Sequence, residues 1–304
     1  MTLNAKCPDC SSVNLKLIGK LPDSHEFSGN VLEYFMPGGN LYLCVNCNLK
    51  FRYPVLAEKE YNKLYDTENI NWVFDENRND WKILKSFVEA KIPDGDTILD
   101  FGCNFGDVLA RLPNNFKKYG IEINRKSAEI ASKKIKTTIW NGFDDLPVNS
   151  VFDLIYAIDV IEHLSSPKNF ILKAMPYLKK GGYIALLTGD SNSFFWKMSG
   201  AKWYYSVFPE HIAFISKSWA EKLCKQYDNL EMVYFRNYTG TNRSFLKRLK
   251  WFSVWMVNFI LRDKSKYLFL VLPKITETGM GEMKNFGKNF SADHLLVVFQ
   301  KVGS

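Results

Sequence analysis

The feature that most constrains the fold of this chain is an alternation of short apolar segments with helical segments between residues 97 and 188. Strands that alternate with helices need crossover connections, which make the strands parallel and cover both faces of the sheet. The predicted strands are 97–101, 119–123, 137–140, 152–158 and 183–188, with two further strands at 230–235 and 294–302. The sequence therefore predicts an α/β fold.

Four of the six cysteines form two C-x-x-C pairs near the start of the chain. Cys7 and Cys10 form the first pair, and Cys44 and Cys47 form the second. Two such pairs can present four thiolates to one zinc ion, and a redox pair or a degenerate remnant of a metal site is the alternative. Because the first residues do not resemble an export signal, disulfides are less favoured. We predict a structural zinc ribbon over residues 1–55, with a hairpin and a long excursion between the pairs.

The rest of the chain divides into a short connecting segment and one large domain. Residues 56–92 are predicted to form a helical linker or lid, and residues 93–304 the main domain, with a helical insertion at about 237–290. The apolar stretch 251–261 is shorter than the ~20 residues that cross a bilayer. With the basic residues before it, the segment 243–261 could contact a membrane interface, and packing on the domain or on a second copy is the alternative. We expect a cytoplasmic protein, with this segment as its candidate contact with the inner membrane face.

The most informative motif is the glycine loop that follows the first predicted strand, ILDFGCNFG. A glycine turn between a strand and a helix lets the backbone approach a nucleotide ligand closely. Glu122 follows at a spacing that suits a carboxylate accepting hydrogen bonds from two ribose hydroxyls. Asp100, directly before the loop, disfavours a pyrophosphate and suits a ligand with an amino group and a sulfonium. S-adenosylmethionine carries both groups, so we predict this cofactor.

Five motifs in order, DFGCNFG, GIEIN, NGFDDLP, FDLIYAIDVIEHL and LKKGGYIAL, resemble those of class I S-adenosylmethionine-dependent methyltransferases. The resemblance covers about residues 80–235 and the last strand. It implies a Rossmann-like sheet of seven strands, mostly parallel, whose last strand is antiparallel. It also implies a cofactor site formed by Asp100, Gly102, Cys103, Asn104, Gly106, Glu122, Ile123, Gly142, Phe143, Asp144, Ala157 and Asp159.

A second resemblance concerns the acceptor of the methyl group. The N-terminal cysteine pairs, this domain and a PEH motif after the fifth strand are similar to bacterial sugar methyltransferases of surface-glycan pathways. The resemblance implies a small-molecule acceptor, a nucleotide- or carrier-linked sugar, with His211 as general base assisted by Glu210. Phe208 stands where those carbon methyltransferases have a tyrosine, so methylation of carbon and methylation of oxygen both remain open. His163, in the EHL motif, is interpreted as a residue packed near the pocket.

The other interpretations concern the partner and the activity. A net charge of +8 would favour contact with phosphates, and zinc ribbons bind nucleic acid in many proteins, so an RNA methyltransferase is the first alternative. The basic residues are scattered along the chain, however, and we expect no nucleic-acid partner. A binding module without turnover is the second alternative.

The dense aromatic segment 193–211 is interpreted either as a lid or as a small core beneath a loop.

Overall fold

The computed structural model describes residues 5–28, 30–55, 64–65, 78–203, 205–240 and 292–303. Most of the predicted linker and nearly all of the predicted insertion lie outside the described residues, as does the candidate membrane segment 243–261. Within the described residues, we found no helix that is both long enough and apolar enough to cross a membrane.

A seven-stranded sheet forms the centre of the molecule. Its strands are β6 (Thr97–Phe101), β7 (Lys117–Ile121), β8 (Ile139–Trp140), β9 (Phe152–Ile158), β10 (Leu178–Gly189), β12 (Leu230–Tyr238) and β13 (His294–Lys301). The order across the sheet is β12-β13-β10-β9-β6-β7-β8. The pairs from β10 to β8 are parallel, and β13 is antiparallel to both β10 and β12. The predicted sheet and its antiparallel last strand are confirmed.

Helices cover both faces of this sheet, as the alternating pattern predicts. They are α1 (Asn79–Lys91), α2 (Asp107–Arg111), α3 (Arg125–Ile135), α4 (Pro167–Ala174), α5 (Phe194–Ser199) and α6 (Lys217–Cys224). The apolar face of α1 packs with α2 and α3 in one core cluster, and α4 and α6 pack in another. Side-chain oxygens of Asn124, Ser166 and Ser216 accept backbone N–H bonds at the starts of α3, α4 and α6. These caps fix where the helices begin relative to the sheet.

The N-terminal segment forms its own small sheets. β1 (Leu15–Lys20), β4 (Asn40–Cys44) and β5 (Lys50–Tyr53) make an antiparallel sheet, and the excursion between the cysteine pairs is a hairpin of β2 (Ser24–Phe27) and β3 (Asn30–Met36). We call residues 5–55 the N-terminal module. The predicted hairpin and excursion are present.

This N-terminal module is joined closely to the main domain. A short strand from the main domain, β11 (Ala213–Phe214), pairs with β5 and extends the module's sheet. The buried Asp9, between the first two cysteines, accepts hydrogen bonds from Ser166 Oγ (2.7 Å) and Trp219 Nε1 (2.8 Å). The folded module shares a sheet and a core with the main domain. The predicted domain boundary after residue 55 therefore stays a prediction.

Most of the described part of the aromatic segment 193–211 is a small core. Phe195, Trp196, Trp203 and Tyr205 are buried with Leu21, Leu41 and Phe214, which come from the N-terminal module and β11. Phe194 is exposed, and Tyr204 lies outside the described residues. Packing between the module and the main domain therefore accounts for these aromatic residues.

Candidate active site

The predicted cofactor residues gather at the edge of the sheet where the parallel strands end. We call Asp100, the loop 102–106 and Glu122 the β6–β7 pocket. Asp100 is almost fully buried near the end of β6 and accepts a hydrogen bond from Tyr156 Oη (2.9 Å). Burial, with a further contribution from the Glu122 charge, raises the pKa of Asp100 to about 8 despite that hydrogen bond. A cationic group placed beside it would favour the ionised form.

The loop has the backbone conformation that its glycines permit. Gly102 and Gly106 have φ of 79° and 74°, and Asn104 has φ of 45°, a region that Asn enters more easily than most residues. A Cβ on Gly102 would lie 2.5 Å from Val160 Cγ2, so the loop is pressed against the segment that follows β9. The side-chain oxygen of Asn104 is buried with no hydrogen-bond partner among the described residues, and it is therefore available to a ligand.

Glu122 is held by the backbone on both carboxylate oxygens. It lies just after β7, which ends at Ile121 and so stops short of the predicted strand end. Oε2 accepts from Asn104 N–H and Oε1 from Asn124 N–H, both at 2.8 Å. Burial raises the pKa of Glu122, and these two N–H groups oppose that shift. Each oxygen can accept a further hydrogen bond, and the neighbouring Ile123 side chain is 45% exposed beside it.

Three of the predicted cofactor residues have side chains that point into the core. Cys103 is buried against Gly120, where an added Cβ would lie 2.7 Å from its Sγ, and burial raises the pKa of its thiol. The Phe143 ring stacks on Phe101 (4.9 Å) and on Tyr177 (5.3 Å). Ala157 is buried in β9. Because these side chains are used in packing, the backbone is the part of these residues that could line the pocket. Their assignment to the cofactor site stays a prediction.

The neighbours of Phe143 are placed differently. Asp144 is exposed, and apart from Gly142 and its chain neighbours no described residue lies within 4 Å of the position that a Cβ on Gly142 would take. This open space just after β8 leaves room for a planar ligand group next to the Gly142 backbone.

A second group of polar residues lies beyond the end of β9. We call Asp159, Glu162, His163, Tyr205 and His211 the histidine cluster. Tyr205 Oη donates to Glu162 Oε1 and lies 3.3 Å from Asp159 Oδ1. The rings of His163 and His211 meet edge to face with centroids 4.8 Å apart. Ligand atoms of Glu162, His163 and His211 all lie within 4.8 Å of one another.

The His211 ring is oriented by the backbone of Tyr205. Its Nδ1 lies 2.6 Å from the Tyr205 carbonyl oxygen, which can only accept, so Nδ1 carries the proton and Nε2 the lone pair of the neutral ring. Glu210 Oε1 instead accepts from Ser28 N–H of the N-terminal module (2.7 Å). The Tyr205 carbonyl is therefore the partner of Nδ1, and the assistance of Glu210 to His211 stays a prediction.

The charges in the histidine cluster are strongly perturbed. Burial would raise the pKa of Asp159, but the ion pair with Arg78 outweighs it and holds that pKa at about 2. Burial and the charge of Asp159 raise the pKa of Glu162. Burial and His211 lower the pKa of His163. Perturbed groups that converge in this way are typical of functional sites.

The four N-terminal cysteines also converge. Cys7 Sγ lies 3.4 Å from Cys47 Sγ, Cys10 Sγ lies 3.4 Å from Cys44 Sγ, and all four sulfurs lie within 4.8 Å of one another. The hydrogen bond with Cys47 lowers the pKa of Cys7 to about 6. Zinc–sulfur bonds of about 2.3 Å in a tetrahedron separate the sulfurs by about 3.8 Å, so the cluster is compatible with a zinc site.

The methyltransferase-domain family matches residues 74–233, more than half of the chain. The chain belongs to this family. It is an S-adenosylmethionine-dependent methyltransferase. An uncharacterized protein of Methanocaldococcus jannaschii, MJ1123, is 32% identical over 165 residues, which are 53% of this chain and 77% of that protein.

Two named enzymes are similar to a shorter part of this methyltransferase. The mitochondrial ubiquinone biosynthesis O-methyltransferase of Candida albicans is 26% identical over 130 residues, 38% of this chain and 37% of that enzyme. The tRNA U34 carboxymethyltransferase of Shewanella sediminis is 26% identical over 130 residues, 38% of this chain and 39% of that enzyme. The chain thus spans well under half the length of either enzyme, and their different acceptors leave its own acceptor open.

Glu162, His163 and Tyr205 belong to the histidine cluster but were not among the site residues predicted from the sequence. The EHL motif gave a signal for the first two, because an acidic residue and a histidine follow a few positions after a predicted parallel strand. Tyr205 gave no comparable signal within an aromatic-rich segment. Its position depends on the fold of the loop between β10 and β11.

Proposed function

We propose that this enzyme transfers the methyl group of S-adenosylmethionine to a small-molecule acceptor, a nucleotide- or carrier-linked sugar of surface-glycan biosynthesis. The main support for this proposal is that the histidine cluster lies at the same sheet edge as the β6–β7 pocket. Carboxylates and imidazoles in a largely buried site suit an acceptor rich in hydroxyl groups. The similarity of the N-terminal module and the PEH motif to sugar methyltransferases supports the choice of a sugar.

The residues of the β6–β7 pocket fit the cofactor. When bound, S-adenosylmethionine supplies a methyl group on a sulfonium. Asp100 would face its amino group, Glu122 would accept from its ribose hydroxyls, and Asn104 Oδ1 would gain the partner that it lacks among the described residues. The space beside Gly142 would hold the adenine, with Ile123 on its flank.

The histidine cluster would position the acceptor. Methyl transfer requires an in-line approach of the acceptor atom and removal of its proton, and the sulfur retains the electron pair of the broken bond as S-adenosylhomocysteine forms. His211 presents Nε2, because its Nδ1 is bonded to the Tyr205 carbonyl. Asp159 and Glu162 provide acceptors for neighbouring hydroxyl groups.

We also infer that Cys7, Cys10, Cys44 and Cys47 bind a structural zinc ion. Four sulfur ligands close the coordination sphere, so this metal would stabilise the N-terminal module and take no part in the chemistry. The module in turn fixes the PEH segment, since Arg52 N–H donates to the Ile212 carbonyl (2.8 Å) and Ser28 N–H donates to Glu210.

The function is tested with methyl-labelled S-adenosylmethionine and three acceptor pools, namely nucleotide sugars, lipid-linked glycans and RNA. We expect label in one of the two sugar pools. His211→Ala should lower the transfer by at least ~100-fold and leave binding of S-adenosylhomocysteine unchanged in calorimetry. Label in RNA alone would overturn the choice of a sugar, and unchanged turnover of His211→Ala would remove this residue from the mechanism.

A further inference from the structure

The histidine cluster contains a set of side chains that suits a metal ion. Glu162, His163 and His211 each offer one ligand atom within 4.8 Å of the others, and the cysteine cluster is a separate group. Two imidazoles and one carboxylate are a donor set for divalent transition metals, with coordination positions left for other ligands. We propose that Glu162, His163 and His211 bind a divalent transition-metal cation on the acceptor side of the active site.

The arrangement of the two imidazole rings supports a shared cation. With a metal–nitrogen bond of about 2.1 Å, a ring centroid lies about 3.2 Å from the metal, so two rings at about 90–110° have centroids about 4.5–5.2 Å apart. The observed separation of the His163 and His211 centroids is 4.8 Å. The rings therefore already have the spacing of two ligands on one ion.

Each histidine has an outer partner of the kind that metal ligands have. Metal-binding histidines usually donate their second ring N–H to a carbonyl, a carboxylate or water, which fixes the tautomer. His211 Nδ1 donates to the Tyr205 carbonyl (2.6 Å), and His163 Nδ1 lies 2.8 Å from Tyr65 Oη. Both contacts are made through Nδ1, and the phenol oxygen can accept the His163 Nδ1 proton as the carbonyl accepts that of His211. In this tautomer Nε2 is the nitrogen of each ring that would coordinate the cation.

Glu162 provides an independent observation. It is 1% exposed, and its Oε1 accepts from Tyr205 Oη. Its second oxygen, Oε2, is buried with no hydrogen-bond partner among the described residues. An unpartnered buried carboxylate oxygen costs free energy, and a cation bound between Glu162 and the two histidines would supply the missing partner.

The bound cation would help the site to select its acceptor. This role of the cation rests on the proposed function. A cation with open positions can hold two adjacent oxygens, such as a vicinal diol, and lowers the pKa of a coordinated hydroxyl group. The hydroxyl proton then passes to solvent, which reaches the partly exposed Asp159. Nε2 of His211 binds the cation in this arrangement, in place of the proton-accepting role that the sequence suggested.

The test uses full-length protein with zinc already bound at its cysteines. Mn²⁺, which does not favour thiolates, is titrated while electron paramagnetic resonance follows the signal of free Mn²⁺, and Zn²⁺ is titrated in parallel by calorimetry. We expect one additional cation per chain. Glu162→Gln and His211→Ala should each weaken its binding by at least ~10-fold, while the exposed His25→Ala in β2 should match the wild type.

Circular dichroism and binding of S-adenosylhomocysteine show that each variant is folded. The proposal is overturned if neither Mn²⁺ nor Zn²⁺ binds beyond the zinc at the cysteines, or if the folded Glu162→Gln variant binds the cation as the wild type does. Cation binding without methyl transfer to any sugar would contradict the proposed function and support the metal site. The two failures are therefore distinguishable.

Discussion

The β6–β7 pocket and the histidine cluster lie at the same edge of one sheet, but they are assembled from different parts of the chain. The pocket is formed by Asp100, the loop 102–106 and Glu122, which lie within 23 residues of one another in sequence, and its main contacts are backbone hydrogen bonds. The cluster joins the segment after β9 to the loop before β11, and its partners include Tyr65 and Arg78. The proposed cofactor site is thus a local property of the fold, whereas the proposed acceptor site depends on tertiary packing.

The N-terminal module contributes to this difference. β5 pairs with β11 directly after the PEH segment, and Ser28 N–H donates to Glu210. Ile212 N–H in turn donates to the Glu162 carbonyl (2.8 Å), which joins the two halves of the cluster. Disturbing the module should therefore affect the histidine cluster more than the β6–β7 pocket.

The largest effect is expected from removing two of the proposed zinc ligands with Cys7→Ser and Cys44→Ser together. Loss of the proposed zinc should release the module, because a structural zinc supplies about 10 kcal/mol or more to such small folds. A catalytic residue displaced by about 1 Å can cost about 100-fold in rate, so methyl transfer should fall by at least that factor. Zinc content by mass spectrometry and rates with labelled cofactor measure both effects.

The control is Cys224→Ser, a cysteine outside the cysteine cluster, which should keep both metal and activity. Calorimetry with S-adenosylhomocysteine then separates the two sites. If the double variant loses cofactor binding as completely as it loses methyl transfer, the β6–β7 pocket and the histidine cluster depend equally on the module, and the proposed difference between them is wrong.

The local features of the molecule could be predicted from the sequence. The alternating pattern predicted the parallel sheet, and the glycine loop predicted a strand–turn–helix. Asp100 and Glu122 were assigned to one site by their positions relative to the glycine loop, and in the structure they lie near the ends of two neighbouring parallel strands. These predictions depend only on interactions between elements that are close in sequence.

Side-chain direction and long-range contacts could not be predicted in the same way. Phe143 was assigned to the cofactor by its motif position, but the Phe101 and Tyr177 rings draw it into the core. Glu210 and His211 are neighbours in sequence, yet one contacts the N-terminal module and the other the Tyr205 carbonyl. Such contacts are decided by the packing of segments far apart in the chain.

The next largest effect is expected from Glu122→Gln in the β6–β7 pocket. The amide keeps the shape but loses the charge, and its NH₂ group opposes one of the two backbone N–H donors. Hydrogen bonds to a charged group contribute about 1.5–3 kcal/mol each, so the dissociation constant for S-adenosylhomocysteine should rise about 10–100-fold. Calorimetry measures this, with the exposed Glu129→Gln as control. An unchanged affinity would remove Glu122 from the cofactor site.

A smaller effect is expected from pH, through Asp100. Its pKa in the empty pocket is about 8, so it is largely protonated at about pH 7, while a bound ammonium group requires the carboxylate. Cofactor affinity should therefore rise with pH by up to ~10-fold per unit below about pH 8 and level off above it. Calorimetry in buffers of different ionisation enthalpy should detect proton release near neutral pH. Asp100→Asn should abolish this release, and a slope that persists in the variant would assign the titration elsewhere.

The smallest effect is expected from Ile123→Ala, which tests whether the pocket reaches the surface of the domain. Ile123 is 45% exposed beside Glu122, so bound adenine would bury apolar area that water now covers. Removing its outer carbons should cost about 1 kcal/mol, or about fivefold in the dissociation constant for S-adenosylhomocysteine. The maximal rate at saturating cofactor should not change, because the residue adjoins Glu122 of the β6–β7 pocket and is not a member of the histidine cluster. Val148→Ala, at a position 90% exposed, is the control. An equal response of the two variants would mean that adenine lies elsewhere, and a lower maximal rate for Ile123→Ala would show that the two sites are coupled.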